Sequence, residues 1–249
     1  MRLILIDSLR ENRSNFYPLV LGRPVWELRC GMTSLEDKLV AKIDPDETAY
    51  FVPDYMATYY RTQVEKPVND VTTLAGDDLL LVDPSVKAAD FDPTLARGQA
   101  PPAEAGVAAR GPSEIAVNEQ GQVLYARITE KDVGGLTAGS IEKFVASAKA
   151  SLPNVKCKLS TWEYTWDLVL ANCQEITTEF AALGRSGIEG DVEEPLAIRG
   201  GKKDVYVAPG AKVHPMVTLD ADHGPIYIDE GTEIHPFSRV EGPCYIGKN

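Results

Sequence analysis

Gly224-Pro225-Ile226-Tyr227-Ile228 returns eighteen residues later as Gly242-Pro243-Cys244-Tyr245-Ile246. Around these two blocks, aliphatic residues fall at Val207, Val213, Leu219, Ile228, Ile234, Val240 and Ile246. Every step is six residues except the one across Ala221-Asp222-His223, which is nine. Val207-Ala208-Pro209-Gly210-Ala211-Lys212 is matched in the same way by Ile228-Asp229-Glu230-Gly231-Thr232-Glu233. A period of six with Gly and Pro between aliphatics predicts a parallel β-helix. Each hexad supplies one short face, the aliphatic points inward, and Gly or Pro turns the corner. Three faces make a coil of about eighteen residues, with the three extra residues bulging at a corner. A solenoid of this kind needs about three stacked units and a cap. The sequence stops inside a repeat at Gly247-Lys248-Asn249, so the expectation over 187–249 is a truncated helix, with faces covered by another subunit as the alternative.

Upstream, over 1–186, the texture is that of an α/β domain. Leu3–Ile6, Ala49–Val52 and Leu79–Val82 read as strands; the last is apolar throughout and suits a parallel sheet buried on both faces. Between the first two, a helix is predicted from Ser34 to Ile43. Thr33 and Glu36 have capping-box spacing, and Leu35, Leu39 and Ile43 form one stripe. Residues 84–113 are rich in proline, alanine and glycine with no period, and predict a long surface excursion. Beyond it, Ile115–Val117 and Val123–Tyr125 flank a turn and predict a hairpin. A helix capped by Ser140 should end before Pro153. Another should run from Trp166 to Leu183, with Val169, Cys173, Ile176, Phe180 and Leu183 on one face and Gly184 closing it.

The bulk properties exclude several classes. The net charge of −12 disfavours a general nucleic-acid binder, which needs a basic surface. No apolar run is long enough to span a bilayer, and Met1-Arg2-Leu3-Ile4-Leu5-Ile6-Asp7 is too short for a signal peptide, so no membrane partner is expected. Cys30, Cys157, Cys173 and Cys244 are scattered, with neither zinc-site nor disulfide-framework spacing, which fits a reducing cytoplasm.

Hexads following an α/β domain resemble the bifunctional UDP-N-acetylglucosamine diphosphorylase/glucosamine-1-phosphate N-acetyltransferase family, in a divergent bacterial branch. The landmarks are Asn15-Phe16-Tyr17-Pro18, Arg23-Pro24-Val25, Leu28-Arg29-Cys30-Gly31 and Thr33–Lys38, with Trp166-Asp167-Leu168-Val169 and Asn172 before the repeats. The resemblance implies a nucleotidyltransferase-like (Rossmann-like) sheet domain followed by the first coils of a left-handed parallel β-helix. It implies a nucleoside triphosphate and a sugar-1-phosphate as substrates, UDP-N-acetylglucosamine and pyrophosphate as products, and Mg²⁺ as cofactor. Acetyl-CoA would enter only with acyltransferase coils beyond this chain, and assembly would be a homotrimer. One departure matters. The family opens with a Gly-rich loop after strand one, whereas here Asp7-Ser8-Leu9-Arg10-Glu11-Asn12 follows it, with no glycine before Gly22. A second reading is therefore open: a degenerate domain that binds a sugar nucleotide without turning it over. A third makes the front domain a passenger on a trimerising helix.

Transfer of a nucleotidyl group builds charge on phosphoryl oxygens, which calls for cations and positioning. Arg23 and Lys38 are the candidate catalytic residues, and Asn15 and Arg29 the candidate substrate-binding ones; each also reads as ordinary surface charge or helix decoration. Asp83, directly after the third strand, is the candidate Mg²⁺ ligand, with a turn residue as the plainer reading. Asp7 holds the same position after strand one. His214 and His235 occupy equivalent hexad positions, each followed by Pro, which reads as repeat structure rather than a single acyl-transfer base; His223 lies in the bulge.

Overall fold

The structure is a computed structural model that describes residues 1–7, 9, 12–92, 113–136 and 139–248. The chain divides into two compact units. One comprises Met1–Leu28 and Ser34–Thr165, the other Arg29–Thr33 and Trp166–Asn249.

The first unit is built on a six-stranded sheet. Its strands are β1 (Arg2–Ile6), β2 (Glu47–Phe51), β3 (Leu79–Val82), β4 (Glu114–Val117), β5 (Val123–Ile128) and β6 (Asn154–Lys156), in the order β2-β1-β3-β5-β4-β6. β1 runs parallel to both β2 and β3, whereas β5 is antiparallel to β3 and to β4. Alternation along β1 sends Leu3 and Leu5 to one core and Ile4 and Ile6 to the other, so both faces of the sheet are covered. This is the reason Leu79-Leu80-Leu81-Val82 is apolar at every position. The helices are α1 (Leu35–Ile43), α2 (Asp54–Tyr60), a single turn α3 (Glu130–Val133) and α4 (Ile141–Ser151).

Two expectations need correction here. The capping box of α1 is Ser34 with Asp37, not Thr33 with Glu36: Asp37 N donates to Ser34 Oγ at 3.1 Å and Ser34 N to Asp37 Oδ2 at 2.9 Å. The Pro/Ala-rich excursion also begins later than 84. Val86 and Phe91 are buried in the core, and Val86 bridges Thr161. Residues 93–112 of that segment lie outside the described residues.

From Trp166 the second unit holds the helix α5 (Thr165–Leu183) and continues as very short strands: β7 (Gly187–Ile188), β8 (Asp191–Val192), β9 (Leu196–Arg199), β10 (Val205–Val207), β11 (Lys212–Val213), β12 (Val217–Asp220), β13 (Ile226–Ile228), β14 (Glu233–Ile234), β15 (Arg239–Glu241) and β16 (Cys244–Ile246). Successive strands enter three different sheets in rotation: β7-β10-β13-β16, β8-β11-β14 and β9-β12-β15. All pairings are parallel. Val207 pairs with Ile228, Val213 with Ile234 and Leu219 with Val240, each twenty-one residues on, and Ile228 with Ile246, eighteen on. The nine-residue step therefore lengthens the turn of chain that contains it. Strand pairing begins at Gly187, well before the first hexad aliphatic, Val207. Gly210 and Gly231 take φ of +78° and +75° at equivalent corners, a conformation suited to glycine.

The α5 stripe is corrected. Leu168, Ile176 and Phe180 are buried, while Val169 is 69% exposed and Leu183 51%. Phe180 and Ile176 pack with Met32 on the outward-facing ladder Tyr206, Tyr227 and Tyr245, which the sheet register stacks one above another. Among the described residues, no helix is long and apolar enough to cross a membrane.

Candidate functional site

In an open sheet with parallel strands, ligands are received beyond the carboxyl ends. At that edge the first unit places Asp7 after β1, Pro53 and Asp54 after β2, and Asp83 after β3. The β1–β3 register pairs Leu5 with Val82, so Asp7 and Asp83 leave neighbouring strands at the same edge.

Asp7 is committed. Its Oδ1 accepts the Val25 N–H at 2.6 Å, and its Oδ2 accepts Nε–H of Arg13 at 2.5 Å. Arg13 is itself buried and also donates to the Val20 carbonyl. Burial works against its charge, but the Asp7 carboxylate outweighs this and holds the guanidinium above its ordinary value. The Arg13 guanidinium carbon lies 5.9 Å from the Tyr17 ring centroid and 5.7 Å from that of Tyr55. Tyr55 Oη donates to Leu21 O at 3.2 Å. These contacts fasten the segment 13–25 to β1 and α2. Arg13 was not singled out by its sequence context; nothing in the spacing of Asp7 and Arg13 marks them as a pair.

Of the residues expected at the site, Arg23 is carried by this fastened segment. It is exposed and makes no ion pair or hydrogen bond among the described residues. Asn15 is half-buried in the turn Arg13–Phe16, its carbonyl accepting from Thr165 Oγ1 at 3.4 Å. Lys38 lies half-buried on α1. Arg29 belongs to the second unit, where its Nη1 donates to Met32 O at 3.1 Å. The cations Arg23, Arg29 and Lys38 are thus not one cluster within one unit. Asp83 is buried, and its Oδ1 accepts both the N–H of Ser85, at 2.8 Å, and the Ser85 hydroxyl, an Asx turn that orients the carboxylate.

A cleft of about 260 Å³ opens at the same edge. Val52, Pro53 and Asp54 line one side, and Gly139–Glu142, the start of α4, the other. Asn69 shapes it: its Oδ1 accepts the Val52 N–H at 2.8 Å and its Nδ2 donates to Val52 O at 2.9 Å, so one side chain finishes the end of β2. Asp54 and Glu142 make the lining acidic, which suits hydroxyl donors better than phosphate. A larger cavity, about 730 Å³ around Arg2, Glu47 and Thr73, lies at the amino ends of β1 and β2, away from the ligand edge.

The second unit explains another of the landmarks. Gly31 N–H donates to Asn172 Oδ1 at 2.8 Å, Cys30 Sγ contacts the Leu168 carbonyl at 3.2 Å, and the Thr33 hydroxyl and Met32 N–H both donate to Glu179. Gly31 has φ +86°, and a Cβ there would collide with Glu179 Oε2. Cys30 and Gly31, with Met32 and Thr33, therefore hold 30–33 on α5 through Leu168, Asn172 and Glu179.

A family model described as sugar nucleotidyl transferase matches residues 3–186. No curated protein matches the chain.

Proposed function

Because the chain belongs to the sugar nucleotidyl transferase family across residues 3–186, we propose that it couples a sugar-1-phosphate to a nucleoside triphosphate, with UTP and N-acetylglucosamine-1-phosphate as the pair. The family match is the observation that carries this reading; the parallel β2-β1-β3 edge, with its cleft and exposed Arg23, supports it. A phosphate oxygen of the sugar-1-phosphate forms a bond to the α-phosphorus, the bond from that phosphorus to the bridging oxygen breaks, and pyrophosphate leaves.

In this reading Arg23 binds the phosphoryl oxygens through its guanidinium, in place of backbone N–H groups of a glycine-rich loop. The Asp7–Arg13 pair does not touch substrate; it holds the loop that presents Arg23. The acidic cleft beside Asp54 and Glu142 receives sugar hydroxyls, which donate to carboxylates. Asp83 is the residue that would hold Mg²⁺: a carboxylate is a hard oxygen donor, and Ser85 orients this one at the end of β3. The ion supplies charge neutralisation on the phosphates when bound. Asn15 and Lys38 are secondary substrate contacts of the first unit in this reading. The second unit is read as a left-handed parallel β-helix, supported by the three-sheet rotation and the inward aliphatics, and as a homotrimerising element.

The test is direct. The chain with Mg²⁺, UTP and N-acetylglucosamine-1-phosphate should release pyrophosphate, and Arg23→Ala should lower the rate by about 10²-fold, as loss of one charge-stabilising donor does. Nucleotide binding without turnover would favour the degenerate binding module. Neither binding nor turnover with any common triphosphate and sugar phosphate would sink the proposal.

A further inference from the structure

The outward positions of the β8-β11-β14 sheet carry an arrangement that the transferase reading does not use. The register sets Val213 level with Ile234 and with Val192, so His214, His235 and Glu193 follow at the same level on three adjacent strands. The rings of His214 and His235 lie parallel, 3° apart in plane, with centroids 5.8 Å apart. His214 has a carboxylate at each nitrogen: Glu193 Oε2 is 3.3 Å from Nδ1, and Glu233 Oε1 is 2.6 Å from Nε2. A neutral imidazole owns one N–H. Two carboxylates on one ring therefore call for positive charge at that ring, which either a second ring proton or a metal ion at Nε2 supplies. Lys212, 3.8 Å from Glu193, offsets one of the two negative charges, and the other falls to whatever cation His214 carries. One ligand atom from each of His214, Glu233 and His235 lies within 4.8 Å of the others.

We propose that His214, His235 and Glu233 form a binding site for a divalent transition-metal ion of the zinc class, with Glu193 orienting His214 from behind. Two imidazole nitrogens and one carboxylate are a donor set that zinc accepts, leaving the fourth position to water. With bonds of about 2.0–2.1 Å, tetrahedral ligands stand about 3.3 Å apart. Glu233 Oε1 must therefore withdraw slightly from Nε2, which its exposed side chain permits. Glu193 accepting from Nδ1–H is the carboxylate–histidine–metal arrangement that fixes tautomer and ring orientation. Imidazole selects against Mg²⁺ and Ca²⁺, so this site is distinct from any Mg²⁺ that serves phosphoryl transfer. Bound metal would tie β11 to β14 across consecutive turns of the chain.

The experiment is calorimetric titration of the untagged chain with ZnCl₂, paralleled by thermal melts and by visible absorption with CoCl₂. The expected result is one zinc per chain, a melting temperature raised by zinc but not by MgCl₂, and cobalt d–d bands without a thiolate charge-transfer band. His214→Asn and His235→Asn should each weaken zinc at least tenfold; His235 is exposed, so its variant keeps the fold, which circular dichroism checks. Absence of zinc binding in the unmutated chain, undiminished binding in the double variant, or a cobalt–thiolate band placing the ion on cysteines would each overturn the proposal.

Discussion

Arg13 and Arg23 are ten positions apart on one segment and do opposite work. Arg13 is buried against Asp7, where removing one partner strands a charge; Arg23 is exposed, where removal strands nothing. Arg13→Ala should therefore cost about 3–5 kcal/mol of stability. Arg23→Ala should stay within about 0.5 kcal/mol while losing turnover. Urea denaturation midpoints of the two variants measure the difference directly; equal midpoints would remove Arg13 from its structural role. Gly31 makes a similar point by steric means. With φ +86° and Glu179 in the space a methyl would need, Gly31→Ala should destabilise by about 1–3 kcal/mol. At this scale the sequence disclosed less than the fold uses. Arginines near a presumed phosphate site could be named from residue type, but which one would be consumed by Asp7 depends on a tertiary pairing that has no period and leaves no local trace.

Among the elements, α1 shows how far local pattern carries. Two overlapping boxes, Thr33 with Glu36 and Ser34 with Asp37, satisfy the same spacing, and local chemistry cannot choose between them. Distant partners decide: Glu179 takes the Thr33 hydroxyl, and Glu36 accepts from Tyr50 and from Lys66 at 2.8 Å, which leaves Ser34 to cap. Ser34→Ala should lower stability by about 1 kcal/mol, and Thr33→Ala should leave helix capping unchanged, as helical content and melts can show. In α5 the expected stripe slipped because the inward face also carries Asn172 and Glu179, polar residues that a hydrophobic count skips. The short strands of the second unit were legible because a six-residue period is enforced by the stacking itself. Its outer face adds charge ladders. Asp220 is paired with Arg239 at 2.6 Å and Arg199 at 3.1 Å, from the strands on either side. Desolvation alone would raise its carboxyl, but the Asp222 N–H and the two guanidiniums hold it below the usual aspartate range. A lowered carboxyl stabilises the fold above the unfolded value, near pH 4, and the contribution disappears as pH falls through the lower folded value. Asp220→Asn should thus melt earlier than the unmutated chain at pH 7, with the gap closing below about pH 4. A gap that persists to pH 2 would show that the ladder contributes packing alone.

For the whole molecule, the division into two units follows from where apolar surface is collected. The first unit closes two cores over the faces of one sheet; the second lines the space between three small sheets with Val207, Val213, Leu219, Ile228 and Ile234. Each kind of core left its own trace in the sequence: unbroken apolar runs in the strands, stripes near 3.6 in α1 and α4, and a period of six at the end. The grouping of 29–33 with α5 was not visible, since it rests on hydrogen bonds between segments about 140 residues apart. Separate cores predict separate responses to cavities. Phe144→Ala, in the core beneath α4, should cost about 3–5 kcal/mol, and Leu219→Ala, inside the three-sheet core, about 2–5 kcal/mol. Native-state hydrogen exchange reads where each cost falls. Phe144→Ala should speed exchange of amides in β1, β3 and β5 while those of β10–β15 keep their protection, and Leu219→Ala should do the reverse. If either variant accelerated both sets equally, the cores would be opening as one cooperative body, and stability assigned to one unit would have to be credited to the whole chain.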